Sequence, residues 1–249
     1  MFRYFIEMAY NGSGYNGWQV QSGAPSVQAD LNGALSLLLG EEIHATGAGR
    51  TDTGVHASFF VAHFDRAEAV TSPAALARSL NGVLGRHVVI RAIYPVVEGA
   101  HARFSALSRT YTYHAREWKD PFRYPFSFLV RPFPDAALMN AACRLLLEAD
   151  DFTSFARLHS GSRTNRCRVL HAGWERRDGE LVFTIRADRF LRNMVRAIVG
   201  TLLRVGQGKM SEEEFRRVIE ARDRRAAGSS VPGYALFLRD IEYPVNLKL

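Results

Sequence analysis

Apolar and polar positions alternate along several short segments of the first half of the chain. Strict alternation predicts strands with one buried face, whereas apolar residues three and four positions apart predict helices. Phe5 interrupts the polar face of the first predicted strand, so we expect the sheet to be covered on both sides there. The strands predicted in this half are residues 2–9, 43–46, 58–64 and 87–94.

Capping residues predict two helices between these strands. Ser26 is the expected N-cap of a helix that ends near Gly40. Ser72 and Pro73 open a second helix that runs to about Leu84, and proline suits the first helical position because the N–H there has no partner within the helix. The first half therefore has the order β-α-β-β-α-β.

The same order is predicted again after residue 105. The second half has expected strands at 109–116, 167–174, 181–187 and 236–241, and expected helices at 135–147, at 190–205 and from Ser211 onward. We therefore predict an α+β fold of two tandem ferredoxin-like halves, residues 1–105 and 106–249, whose antiparallel sheets join around a central basic cleft. Such a fold supports many unrelated activities and does not by itself indicate a function.

Composition narrows the class of protein. Arg3 and Glu7 interrupt the apolar N-terminal run, which is unlike a signal peptide, and no stretch has the length of a membrane span. The two cysteines, Cys143 and Cys167, have no second Cys or His at metal-ligand spacing. We expect a cytoplasmic protein without a disulfide framework or structural zinc.

The formal charge of +7 is uneven along the chain. Residues 1–105 carry 7 arginines against 8 acidic residues, whereas residues 106–249 carry 25 basic residues against 17 acidic ones. Arginine binds phosphate oxygens in pairs and stacks on bases, so the second half suits a structured polyanion such as RNA. Dispersed surface charge that serves solubility is the alternative interpretation.

The loop at residues 47–57 is the most promising place for chemistry. It combines Arg50 and Asp52 with three glycines, which allow unusual backbone angles and close approach of a ligand. Asp52 lies on the connection between two predicted strands and is a candidate nucleophile. By itself the pattern also fits an ordinary turn in which the carboxylate bonds to nearby backbone.

Aromatic residues and arginines supply candidate partners for Asp52. Trp18 lies in a glycine-rich loop, where it either stacks on bases or anchors the loop to the core. Tyr111 and Tyr113 share one face of a strand; Tyr113 is expected in the core with a satisfied hydroxyl, and Tyr111, beside Arg109, is expected to face a cleft. On the predicted helix 190–205, spacings of three and four align Arg189, Arg192 and Arg196 in one stripe, which is either a solvated face or a set of side chains that reach Asp52.

Other chemistries lack their motifs. Gly47-x-Gly49 has no third glycine of a dinucleotide loop, and Gly208-Lys209 is followed by Met210. His44, His56 and His63 do not have zincin spacing. The sequence thus favours neither metal nor acyl-transfer chemistry, and an aspartate-dependent hydrolase would need a second acid or base that we do not identify.

Several motifs distributed over nearly the full length resemble the tRNA pseudouridine synthase A family of bacteria. The matching segments are 10–12, 17–19, 49–57, 101–104, 111–113, 151–155 and 194–200. Three positions depart from the common family pattern: Asn11 stands where Asp is frequent, Thr53 where Ala is frequent, and Arg192-Asn193 where histidines are common. None of these changes removes an expected catalytic group.

The resemblance implies a role for each candidate residue. Asp52 would be the nucleophile, Tyr111 would stack on the target base with proton transfer as a second role, and Arg196 and Arg50 would position Asp52 and bind RNA. The RNA-binding set is Arg50, Arg109, Tyr111, Arg189, Arg192 and Arg196.

The resemblance also implies a substrate and an assembly. Family members act on uridines of the anticodon stem-loop of tRNA, as homodimers and without a cofactor or metal. A non-catalytic RNA-binding or chaperone protein on the same fold is the alternative function, and the intact Arg50-Thr51-Asp52 segment argues against it.

Overall fold

A computed structural model describes residues 1–157 and 164–249 as an α+β protein whose strands are mostly antiparallel. The chain divides into two compact units, residues 1–107 with 238–249, and residues 108–237. In the described parts of the chain, no helix is long and apolar enough to cross a bilayer. In chain order the elements are β1 (Phe2–Tyr10), α1 (Val27–Leu39), β2 (Thr46–Gly47), β3 (His56–Arg66), α2 (Pro73–Val83), β4 (Val88–Pro95), β5 (Ser108–Arg116), β6 (Phe128–Leu129), α3 (Ala136–Glu148), β7 (Val169–Arg177), β8 (Glu180–Ala187), α4 (Met194–Gly206), α5 (Glu212–Ala221) and β9 (Leu236–Glu242).

The first unit is built on a sheet in which β1 is central. Strand β1 pairs antiparallel with both β3 and β4, and β2 pairs with the C-terminal half of β3. Strand β9 lies beside β3. On one face of β1, Tyr4 stacks on Phe64 with ring centroids 5.4 Å apart, while on the other face Phe5 meets Tyr243 edge-on at 5.4 Å. Phe5 is 1% exposed, which confirms that this sheet is covered on both sides.

Local capping signals place the helices as the sequence predicts. The side chains of Ser26 and Ser72 accept hydrogen bonds from the amides three residues later, and Gly40 ends α1 with φ of 71°. Ser211 and Glu214 form the reciprocal capping box at the start of α5. These contacts satisfy donors that the first turn of a helix leaves without partners.

The second unit contains the antiparallel order β5-β8-β7, with β6 parallel to β5 at its end. Asp178 and Gly179 both have positive φ in the turn that joins β7 to β8, which suits the twist of a two-residue hairpin. Tyr113 is fully buried, as expected, but its hydroxyl has no hydrogen-bond partner among the described residues, contrary to expectation. Burial raises the pKa of this hydroxyl, so it stays protonated.

The start of helix α4 differs from the prediction. The helix begins at Met194 and not at Phe190, because Asn193 adopts a left-handed conformation with φ of 67°. The Asn193 side chain donates to Ser230 Oγ at 2.6 Å, a contact that holds this break. Arg189 and Arg192 therefore precede the helix, and the expected helical stripe of three arginines is wrong.

A buried histidine ties β3 to the segment 101–104. His63 Nδ1 accepts a hydrogen bond from the Ala102 amide at 3.2 Å, and its ring lies 4.6 Å from that of His101. Burial, followed by the charges of Arg3 and His101, lowers the pKa of His63 to about 4, against a weaker opposing effect of Asp65. The neutral ring is thus the form that fits the fold.

This pKa predicts a pH dependence of stability. Between pH 6.5 and about 4 the unfolded chain protonates His63 while the folded chain does not. The free energy of unfolding should therefore fall by up to about 3 kcal/mol as the pH drops from 6.5 to 4, and the His63 contribution should level off below that. Urea denaturation of the wild type and of His63→Gln over this range measures the effect.

The difference in slope between the two proteins isolates His63 from other titrating groups. His44→Gln is the matched control, since the His44 side chain is 77% exposed, and it should keep the wild-type slope. Identical slopes for wild type and His63→Gln would contradict this assignment.

Candidate active site

Asp52 lies in the loop of residues 48–55 that connects β2 to β3 in the first unit. The Ala48 amide donates to the Val61 carbonyl at 2.8 Å, and the Val55 amide donates to the Asp52 carbonyl at 3.1 Å. Gly54 takes φ of 75°, a left-handed angle that closes the turn. The backbone at Asp52 is thus fixed from both sides, and its side chain is half-buried.

A second loop, residues 11–19, packs its backbone directly on this turn. A Cβ at Gly12 would lie 2.1 Å from the Val55 carbonyl oxygen, and one at Gly17 would lie 2.1 Å from the Thr51 carbonyl oxygen. The Gly54 amide also donates to the Tyr15 carbonyl at 3.2 Å. Only glycine permits this approach, so the two loops form one rigid body.

Two buried side-chain contacts complete the scaffold, and sequence reasoning did not anticipate them. The hydroxyls of Tyr10 and Thr51 are hydrogen-bonded at 2.9 Å, and the Gly12 amide donates to His56 Nδ1 at 3.0 Å. Because Nδ1 accepts, the neutral His56 ring carries its proton on Nε2. Thr51 and His56 lie near Asp52 in the sequence. Their place in the family motif of residues 49–57 is the only sequence signal that indicates a role for them.

Trp18 supports the base of the same loop. It is 1% exposed, its ring lies 4.3 Å from that of Phe60, and a Cβ at Gly47 would lie 2.5 Å from its indole. Trp18 is therefore the core anchor of the 11–19 loop, and the base-stacking alternative is wrong. Asn11 accepts from the Ser13 amide at 3.0 Å, a turn contact that an aspartate also makes.

Arg50, two residues before Asp52, has an exposed side chain. Asp52 and Arg50 are the two predicted site residues that the first unit contains, and they occupy the same turn. A half-buried carboxylate on a rigid loop, with an exposed guanidinium beside it, is suited to nucleophilic attack on an anionic substrate.

The other predicted site residues belong to the second unit. Tyr111 on β5 is half-buried and meets the Phe190 ring edge-on at 5.1 Å. Arg109, also on β5, donates from Nη1 to the Asp188 carbonyl at 2.8 Å. Tyr111 and Arg109 thus both contact the segment that follows β8.

Asp188 organises that segment. Its carboxylate accepts from the amides of Arg168 and Arg189 at 2.8 and 2.7 Å. Arg189 is half-buried, and Arg192 is exposed with its carbonyl accepting from the Arg157 amide at 3.0 Å. The structure therefore places these two arginines on an irregular segment that backbone contacts hold in place.

Arg196 lies in the first turn of α4. Its Nε donates to the Val231 carbonyl at 2.7 Å, and the Val231 amide donates back to the Arg196 carbonyl at 3.2 Å. A Cβ at Gly200, one turn later, would lie 1.9 Å from the Ser229 carbonyl oxygen. Gly200 thus allows the 229–231 backbone to reach Arg196 and to orient its guanidinium.

The described residues, 1–157 and 164–249, contain no group of three or more His, Cys, Asp or Glu side chains arranged to hold a metal ion.

The loop contacts predict a large effect of one methyl group. Gly17→Ala combines a left-handed φ of 93° with overlap at the Thr51 carbonyl, and it should lower the free energy of unfolding by at least about 2 kcal/mol. Amide exchange at Gly54 should become faster because its acceptor, the Tyr15 carbonyl, moves. Urea denaturation and hydrogen exchange measure the two effects.

Gly14→Ala provides the control in the same loop, because nothing lies within 4 Å of a Cβ built there. Its stability should stay within about 0.5 kcal/mol of the wild type. Equal stabilities of the two variants would show that the backbone contact at Gly17 does not hold the loop.

Comparisons with known proteins show the family of this chain. A family model described as tRNA pseudouridine synthase matches residues 142–244. The chain is 50% identical to tRNA pseudouridine synthase A of Parabacteroides distasonis over 99% of its own length and 98% of the relative. It is 50% identical to the protein of that name from Bacteroides thetaiotaomicron (99% and 93% covered) and 39% identical to the one from Aeromonas salmonicida (99% and 92% covered). The chain therefore belongs to the tRNA pseudouridine synthase A family.

Proposed function

We propose that this protein converts uridines on the 3′ side of the anticodon stem-loop of tRNA to pseudouridine. The observation that carries the proposal is the Asp52 turn, which has the family motif and is held rigidly by the 11–19 loop. The reaction cleaves the N-glycosidic bond of uridine, turns the base, and joins C5 to the sugar carbon. The C5 proton is released and N1 gains a proton, so the enzyme is an isomerase.

Each candidate residue has one role in this proposal. Asp52 is the nucleophile, Tyr111 stacks on the free base and is available for proton transfer, Arg196 orients Asp52, and Arg50 helps to extrude the uridine. The edge-on contact with Phe190 fixes the plane of the Tyr111 ring, which supports a stacking role. Arg109, Arg189 and Arg192 contribute phosphate contacts.

The target uridine lies in a stem, so it must leave the base stack before it reaches Asp52. Extrusion costs a few kcal/mol, which stacking on an aromatic ring and phosphate contacts offset. The arginines of residues 106–249 supply such contacts, whereas residues 1–105 supply the catalytic loop; this division of roles is part of the proposal. No step requires a cofactor.

We also propose that the two halves are tandem ferredoxin-like units around a basic cleft. Supporting this are the order β4-β1-β3-β2 in the first unit and the order β5-β8-β7 in the second, which match the strand arrangement of a βαββαβ unit. A homodimer in the cytoplasm, where tRNA is modified, completes the proposal and rests on the family resemblance.

Removal of the Asp52 charge tests the nucleophile. Asp52→Asn should lower the rate of pseudouridine formation by at least about 1,000-fold, because the amide cannot attack. Its affinity for tRNA should stay within about tenfold of the wild type, since the loop backbone is unchanged. Release of tritium from [5-³H]uridine-labelled tRNA measures the rate, and filter binding measures the affinity.

Asp178→Asn is the control with the same change in charge. Asp178 is exposed in the β7-β8 turn, and asparagine tolerates its left-handed φ, so its rate should match the wild type. A normal rate in Asp52→Asn would refute the nucleophile assignment. A wild type that binds tRNA without releasing tritium from any uridine would favour the RNA-chaperone alternative.

Truncation of Arg196 tests its positioning role. Arg196→Ala should weaken tRNA binding and lower turnover at saturating tRNA about tenfold or more, because a guanidinium fixed by Val231 is lost. Arg204→Ala, in the last turn of the same helix and exposed, should change neither quantity by more than about twofold. Unchanged binding and turnover in Arg196→Ala would assign Arg196 to a solvated helix face.

A further inference from the structure

Two open grooves of the first unit share one residue, Arg91 on β4. The first groove has a volume of about 610 Å³ and is lined by Ser58, Phe59, Arg91, Arg239 and Asp240. The second has a volume of about 340 Å³ and lies between α2 and β4, where its lining includes Arg78 and Arg91. Arg78, Arg91 and Arg239 therefore follow one another along adjoining grooves; we call them the arginine track.

The three guanidiniums of this track are exposed. None of them forms a hydrogen bond or an ion pair with any residue in the ranges 1–157 and 164–249. Other arginines of the same unit are paired: Arg3 binds Asp65 in a bidentate ion pair, and Arg66 binds Glu41. The track thus keeps donors available for a ligand.

Four acidic side chains of this unit are engaged elsewhere. Asp65 and Glu41 hold the arginines just described, Asp30 accepts from the Tyr15 hydroxyl at 2.6 Å, and Glu7 accepts from the Tyr94 hydroxyl at 2.9 Å. Asp240 is the acidic residue that lines the first groove. The lining of the two grooves, with three arginines against Asp240 alone, therefore carries a local positive charge.

The first groove begins close to the catalytic loop along the chain. Ser58 and Phe59 belong to β3, which starts at His56 directly after the Asp52 turn. Ser58 Oγ donates to the Leu238 carbonyl at 3.4 Å, which joins β3 to the strand that carries Arg239. The groove lined by Arg91 and Arg239 thus includes residues that follow the Asp52 turn closely in the sequence.

We infer that the arginine track binds the ribose-phosphate backbone of tRNA outside the target nucleotide. Spaced guanidiniums along an open groove match a chain of phosphates, and the half-buried Phe59 gives the groove an apolar floor. This inference rests on the proposed function, since it takes tRNA as the substrate. It adds Arg78, Arg91 and Arg239 to the RNA contacts proposed above.

Binding of full-length tRNA by Arg91→Gln and Arg239→Gln, measured between 50 and 200 mM salt, tests the track. Each variant should bind several-fold more weakly at low salt, and the slope of log K against log salt should become shallower by about 0.7–0.9. In turnover assays the loss should fall mainly on KM. Arg91→Lys should restore most of the slope because it keeps the charge.

Arg86→Gln is the matched control: Arg86 is exposed in the same unit and lines neither groove, so its affinity and slope should equal those of the wild type. Wild-type binding by Arg91→Gln and Arg239→Gln, or an equal loss in Arg86→Gln, would overturn the inference. A wild type that binds tRNA but forms no pseudouridine would refute the proposed function alone, because the binding slopes still test the track.

Discussion

Two stretches of main chain in the first unit lie closer together than any side chain on them would permit. The carbonyl oxygens of Val55 and Thr51 occupy the space that a Cβ of Gly12 or Gly17 would need. Since peptide groups are rigid and their hydrogen bonds directional, this contact fixes the Asp52 turn relative to β1 and α1. The buried bonds of Tyr10 to Thr51 and of Gly12 to His56 depend on the same approach.

In the second unit, too, a glycine allows close backbone contact, in this case near Arg196. Gly200 lets the Ser229 backbone approach α4, and the Val231 carbonyl then accepts from Nε of Arg196. Because a guanidinium is planar, a hydrogen bond at Nε also fixes the directions of its two terminal nitrogens. In each unit, then, a glycine that contacts backbone holds the element that carries a candidate catalytic side chain.

The sequence predicts those parts of the fold that short-range chemistry decides. Ser26, Ser72 and Ser211 cap their helices because the capping oxygen and its amide lie three residues apart, and the alternation of β1 reports a local period. The predicted start of α4 is wrong because a contact with Ser230, 37 residues away, holds Asn193 in the left-handed region. No local pattern contains that information.

The candidate site divides in the same way. Sequence motifs indicate Asp52, Tyr111 and Arg196 as candidate site residues. They do not show the partners that fix the Asp52 turn, because these lie 34 to 44 positions away in the sequence, as with Gly17 against Thr51 and Gly12 against His56. Trp18 illustrates the limit: its sequence context fits base stacking and core anchoring equally, and only its burial against Phe60 decides.

Net charge, finally, is a poor measure of where a protein attracts a polyanion. Residues 1–105 are nearly neutral by composition, yet Asp65 and Glu41 neutralise arginines that lie outside the grooves, and Asp30 and Glu7 bind tyrosine hydroxyls. At physiological ionic strength the field of a charge decays within about 8 Å, so an acid affects mainly its own neighbours. Asp240 is the acidic residue that lines a groove with Arg91 and Arg239. Whether each charged side chain is paired, and not the net charge of the chain, decides which surface presents a positive potential to RNA.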